Sequence, residues 1–288
     1  MIRPRVLPRI RDRMVWLLTD PDSDLRRVVD DDEGLLLDTV ARHLTTGALY
    51  WVTADMAALA TAAGRSLDTV RWCSQDRPAP TGLMVMDGGV GWMPYQGVDY
   101  PIDALSWGPG PDGLLLCLWL ARRRLDDRLA PHGAAVVPER TAALLPVLGH
   151  TMPVHSEDHP VTALPDHLRT LATTLAAAWH LMDQPTLSEQ RPAPIDRGLR
   201  RVYTRQQRPE PAVTLIDLRS RYRPTDPDQQ PDLHPSRYHH RWVVRGHWRW
   251  QAHGPDHTLR KRIYITDHLK GPHGAPLLRH ERVNVWRR

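Results

Sequence analysis

The residues best suited to chemistry gather near the carboxyl end. Tyr238 to Arg288 hold 11 of the chain's 38 basic residues against three acidic ones, together with 8 of its 16 histidines. Six aromatics are interleaved with them: Tyr238, Trp242, Trp248, Trp250, Tyr264 and Trp286. Taken as a strand, Arg241 to Trp250 separates by parity. Trp242, Val244, Gly246, Trp248 and Trp250 share one face, which packs; Arg241, Val243, Arg245, His247 and Arg249 share the other, which offers positive charge. Cations at every second residue can meet successive phosphates while aromatics stack bases, the combination by which sheet surfaces bind single strands. The expected nucleic-acid contacts are Arg241, Arg245, His247, Arg249, Lys261, Arg262 and Lys270. RNA or a single strand is the expected partner, because no helix-turn-helix stands out among the basic residues.

The same residues support other readings. His, Arg and Lys together suffice for metal-independent RNA cleavage: the imidazole moves the 2′-OH proton while a cation stabilises the phosphorane. His247 is the first candidate, with His268 and His280 beside it, and no spacing rule selects among them. Whether the chain is an enzyme stays open. In a third reading the basic unit is a scaffold that grips an acidic protein partner. In the plainest, the arginines are the solvated side of a sheet or lie against the acidic part of the same chain.

No cofactor or metal is expected. Gly108-Pro109-Gly110-Pro111-Asp112-Gly113 matches a phosphate-binding fingerprint in letters only, since Pro109 and Pro111 lack the N–H donors such a loop needs. The segment reads as a hairpin turn. No G-K-[ST] loop, G-x-S-x-G, H-E-x-x-H or paired C-x-x-C occurs. His253 and His257 are four apart, but Gly254-Pro255 between them prevents the helical turn that would align them on a metal.

The elements that must position these residues follow from charge and punctuation. Residues 1–190 carry 17 Arg against 24 Asp and Glu, net −7, whereas residues 191–288 carry 21 Arg and Lys against 9 acids, net +12. Prolines crowd the boundary, from Pro185 to Pro235. Three parts are therefore expected: an acidic domain over 1–184, a Pro-rich connector over 185–237 with one strand at Ala212 to Leu218, and a basic β-rich domain over 238–288. In the first, the apolar spacing from Leu35 to Leu44 behind the acidic run 30–33 predicts a helix whose start is capped and dipole-matched. A second helix is expected from Thr53 to Trp72, and Leu164 to Met182 repeats at three and four residues as a third. Leu83 to Met86, Ile102 to Trp107 and Leu114 to Leu120 are expected as antiparallel strands. In the last domain, His253 to Asp256 and Lys270 to Gly274 are turns, and Lys261 to Thr266 and Leu277 to Trp286 are strands, giving a half-barrel or small twisted sheet. The class is α+β.

Composition sets the outer bounds. The longest apolar run, Leu114 to Ala121, is eight residues, against the roughly 18 to 20 a membrane span needs. No signal-peptide core follows the basic amino end, and Cys73 and Cys117 form no disulfide framework, so a reducing cytoplasm is expected. Lysine occurs only at 261 and 270, phenylalanine not at all, and asparagine only at 284. That skew fits a GC-rich genome, which makes part of the arginine content mutational.

His240-Arg241-Trp242-Val243-Val244-Arg245-Gly246-His247-Trp248-Arg249, continued through Gly254-Pro255, Arg262 to Ile265 and Lys270-Gly271-Pro272, resembles the carboxyl-terminal module of an uncharacterised protein family of actinomycetes and their phages or mobile elements. Pro78 to Leu83 and Ala104 to Pro109 resemble upstream segments of the same family. Trp250 stands where those proteins often have Asn. The resemblance implies the class of organism and a carboxyl-terminal unit that holds together, and it implies no activity.

Overall fold

The computed structural model describes residues 2–95, 98–129, 142–154, 158–219, 241–270 and 276. The chain divides into two compact units, Met1–Arg219 and Ser220–Arg288. The first opens with a 3-10 turn, Pro4–Val6, then α1 (Leu7–Thr19), α2 (Asp31–Thr46), β1 (Ala48–Val52), α3 (Ala54–Gly64), β2 (Thr69–Val70) and β3 (Gly82–Met86). Next come β4 (Gly91–Tyr95), β5 (Val98–Ile102), β6 (Ala104–Gly110), β7 (Gly113–Ala121), α4 (Arg122–Leu129) and β8 (Leu144–Met152). β9 (His159–Pro160), α5 (Asp166–Met182), β10 (Ser188–Pro192), α6 (Arg197–Arg205) and β11 (Val213–Leu218) complete it. The second unit holds β12 (Trp242–Val244), β13 (His247–His253), β14 (Leu259–Ile265) and β15 (His268–Lys270).

The class is α+β, as expected. A seven-stranded sheet runs in the order β10-β11-β1-β3-β6-β7-β8. β11, β1 and β3 are parallel, and the remaining pairs are antiparallel. β3 and β7 read as unbroken apolar runs because both faces of the sheet are covered. On one face Leu49 and Trp51 meet Leu7, Met14, Val40 and Leu44 of α1 and α2. On the other Tyr50 stacks on Trp107 with centroids 5.9 Å apart, Trp107 meets Trp179 of α5 edge-on at 5.1 Å, and Trp179 meets Trp72 at 5.7 Å. Gly82 lies beneath this column, and a side chain there would fall on the Trp107 ring. Without phenylalanine, indoles and one phenol carry the aromatic packing of this layer.

Local expectations met the structure unevenly. Asp30 accepts from the Glu33 amide at 2.8 Å and the Glu33 carboxylate accepts from the Asp30 amide at 3.4 Å, so the acidic run caps α2. The Gly-Pro segment is a hairpin turn, with Gly110 paired to Gly113. The second helix ends at Gly64 rather than Trp72, where α5 comes so close that an added Cβ would stand 2.9 Å from the Thr173 backbone. Val70 is buried by the short pairing of β2 with β9 instead.

The larger correction concerns the connector. Residues 185–219 belong to the first unit, and the strand expected within them lies inside its sheet, paired on one side with β1 and on the other with β10. Their prolines punctuate short elements: Pro192 ends β10, an edge strand where a missing donor is tolerated, and Pro194, Pro209 and Pro211 stand between elements. The first unit thus runs to 219 rather than 184, and its charge is 24 Arg against 27 acids, net −3. Residues 220–237 lie outside the described residues. Among the described residues no helix is long and apolar enough to cross a membrane.

Two outcomes follow from this packing. Trp179→Ala, which empties the middle of the aromatic column, should lower unfolding free energy by about 3–5 kcal/mol, and Gly82→Ala by about 1–3 kcal/mol, both read from urea denaturation. Burial holds the imidazole of His43 below its ordinary range, and burial, then the neighbouring His167, does the same for His150. The unfolded chain binds these protons at higher pH than the native one, so stability is retained above about pH 6.5 and falls as pH drops through and below it. The urea midpoint should be lower at pH 5.5 than at 7.5, and an unchanged midpoint would contradict the burial argument.

Candidate nucleic-acid interface

The expected strand Arg241 to Trp250 is broken at Arg245-Gly246. β12 pairs with β15, matching Trp242 to Lys270, and β13 pairs with β14, matching His247 to Ile265 and His253 to Leu259. Both pairings keep one antiparallel register, so the two ladders are successive parts of one hairpin. Gly246 makes the interruption possible. Its amide donates to Asp267 Oδ1 at 2.6 Å, and the Tyr264 hydroxyl occupies the space a Cβ would need. The turn at the far end needs left-handed backbone at Gly254 (φ 76°), Asp256 (φ 52°) and His257 (φ 55°).

Cross-strand register decides which cations share a face. Arg245, His247, Arg249, Gln251 and His253 alternate along one face, and all are exposed. Their strand-to-strand partners are Ile265 for His247, Ile263 for Arg249 and Lys261 for Gln251. Alternate residues on a strand are about 6.7 Å apart, a spacing of the same size as that between phosphates of an extended single strand. His247 Nδ1 lies 3.1 Å from the Arg245 carbonyl, and Arg249 donates to Gln251 at 2.8 Å. Among the described residues no carboxylate pairs with Arg245 or Arg249. Exposed Val243 (53%), Leu269 (44%) and Leu259 (53%) mark the two ends of this face.

The other expected contacts do not all join them. Arg262 is the clearest correction: it pairs with Trp250 across the hairpin, is buried at 7% exposure, and its guanidinium lies 4.8 Å from the Trp250 ring centroid. Its charge is committed to an indole face, which is the better partner for a cation at a desolvated position. Lys270 pairs with Trp242 and falls on the parity of Trp248 and Trp250, away from Arg245 and Arg249. Lys261 shares the cationic face and is half-buried. Arg241 keeps that parity too, half-buried, with its amide donating to the Pro276 carbonyl at 2.9 Å. On the packed side Trp248 and Tyr264 meet at 5.1 Å.

Of the candidate catalytic histidines, His268 pairs with Val244 and so stands on the parity opposite to His247. The two cannot serve one phosphate as acid and base. His280 and the strand expected at Leu277 to Trp286 lie outside the described residues, where no geometry is assigned. Among the described residues no group of three His, Cys, Asp or Glu could hold a metal ion.

A cleft of about 980 Å³ in the first unit, at the carboxyl ends of β1, β3 and β7, was not anticipated from the sequence. Its lining includes Val6, Ile10, Trp51 and Val85. The buried Asp103 carboxylate there accepts from the Ala121 amide at 2.7 Å and from Arg124 at 2.5 Å, so its charge ties β6 to β7 and α4. No protein-family profile and no curated protein sequence matches the chain.

The close approach at Gly246 generates a direct outcome. Gly246→Ala should displace Tyr264 and Asp267, cost about 1–3 kcal/mol locally, and accelerate amide hydrogen exchange in β13 and β14. Unchanged exchange there would show that the hairpin does not depend on this close approach.

Proposed function

We propose that the chain binds nucleic acid, RNA or a single strand in preference to duplex, through the face bearing Arg245, His247 and Arg249. The observation carrying this reading is the exposure of those three side chains together, without a carboxylate partner among the described residues. The aliphatic side chains at either end of the face favour a single strand, whose unstacked bases can reach them and whose phosphates alternate with the cations. The resemblance of the carboxyl-terminal module supports a role in an actinomycete phage or mobile element, working in the cytoplasm. Of the candidate catalytic histidines among the described residues, His247 stands on this face and His268 on the opposite one, which counts against the endoribonuclease reading. The acidic-partner reading predicts no affinity for RNA.

Labelled single-stranded RNA should bind with an affinity that falls as salt rises, and R245Q/R249Q should reduce the slope of log affinity against log salt by about 1.4, or 0.7 for each phosphate that is no longer neutralised. Salt-independent binding, or a double variant that binds as wild type, would overturn the reading. Incubation of the RNA in EDTA with wild type and His247→Ala should leave it intact in both; cleavage by wild type alone would establish the catalytic reading instead.

A further inference from the structure

We propose that the cleft of the first unit is a binding site for a small organic cation, an ammonium group on an apolar body, held between the Asp87 carboxylate and the Trp51 indole. This goes beyond the hairpin reading and is independent of it.

The sheet itself brings the two groups together. β1 and β3 run parallel with Trp51 matched to Val85, and the Asp87 amide donates to the Val52 carbonyl at 2.9 Å, which continues the ladder past the end of β3. Asp87 follows Val85 by two positions and so leaves the sheet on the face of Trp51. The two backbones are diagonal neighbours about 8 Å apart, from a strand spacing of about 4.8 Å and a rise of about 6.6 Å over two residues. That separation has room for one ammonium, in contact with the indole face on one side and accepted by the carboxylate on the other. Both residues line the cleft. Gly88 (φ 88°) and Gly89 (φ 92°) supply the left-handed backbone that turns the chain immediately after Asp87.

The charges around the cleft decide the sign of the ligand. Four aspartates and three arginines line it. Asp103 is already held by the Ala121 amide and by Arg124. Arg124 is fixed in turn by that carboxylate, by the Trp92 ring with its centroid at 5.5 Å, and by Gly89, where a Cβ would collide with the guanidinium. Arg122 lies 3.7 Å from Asp126. Arg123 and Asp127 are exposed and stand one turn apart on α4, so their opposite charges are neighbours on the rim. That leaves Asp87, half-buried, whose carboxylate has no partner among the described residues. A cation in the cleft neutralises this charge, and an anion would be repelled by it.

The remaining lining sets the rest of the molecule. Val6, Ile10 and Ala143, all half-buried, and the buried Val85 and Met86 offer no charge and call for an apolar body. The volume of about 980 Å³ lies at the upper end of the roughly 300–1,000 Å³ typical of small-molecule sites. Its place at the carboxyl ends of β1 and β3 is where sheets with parallel strands receive ligands.

The test uses the full chain and three probes that share a phenylbutyl body and differ in head group: phenylbutylamine, phenylbutanol and phenylpentanoate, titrated calorimetrically at neutral pH. The amine should bind about tenfold or more tightly than the alcohol or the carboxylate, the worth of one charge-assisted hydrogen bond. Asp87→Asn should bring the amine down to the affinity of the alcohol, while its thermal melt stays at the wild-type value. Ala143→Trp, which places an indole in the cleft and leaves its charges alone, should abolish binding of the amine. Equal affinity of wild type for amine and alcohol would reduce the cleft to an apolar pocket and overturn the proposal; so would tighter binding of the carboxylate, or no measurable binding of the amine. That comparison needs no variant and decides the matter if Asp87→Asn fails to fold. Wild-type affinity for the amine in folded Asp87→Asn, or in folded Ala143→Trp, would place the cation elsewhere and equally overturn it.

Discussion

The long-range parallel pairing of Val213–Leu218 with Ala48–Val52 is the constraint on which most of this structure turns. More than 160 residues separate Trp51 from its partner Leu215. Closing that span orders the intervening chain at an entropic cost that burial on both faces of the sheet must offset. The same pairing inserts β11 between β10 and β1 and brings α6 beside α1. Two segments whose charges look unrelated in sequence thereby become neighbours.

The helical layer behind the sheet depends on shape more than on charge. Tyr50, Trp107, Trp179 and Trp72 form a column linking β1, β6 and α5, and glycine at 82 lets the Trp107 ring lie against the strand. Glycine at 108 does the same for His43 on the opposite face, where burial holds the imidazole below its ordinary range. Two buried charged groups of this unit are held by hydrogen bonds, Asp103 by a backbone amide and Arg124, Arg11 by Tyr203 and a carbonyl.

In the carboxyl-terminal unit, charge and shape are sorted by cross-strand register. Single-strand parity correctly joins Arg245, His247 and Arg249, because alternation is a local property of an extended chain. It says nothing about the returning strand. Whether Arg262 or Lys261 joins them depends on which residue of β13 each one faces, and that is set by a turn with three left-handed residues between them. The result places Arg262 against Trp250 and Lys270 on the parity of the indoles, so two of the seven cations that look equivalent in sequence do different work.

Local chemistry was legible in the residues themselves. The Asp30 cap, the apolar stripe of α5, the hairpin at Gly110 to Gly113 and the strands β3, β7 and β11 all follow from interactions among residues close in sequence, where periodicity and turn preference act directly. The tertiary structure decided what those elements face. Proline density between 185 and 211 signals short elements equally well whether they form a linker or a sheet edge, and only the pairing partner distinguishes the two. Likewise, arginine content records how much positive charge the chain holds, whereas packing determines how much stays exposed: Tyr203 and Asp12 must meet across the fold before the arginines around them divide into those that fasten a helix and those that face solvent.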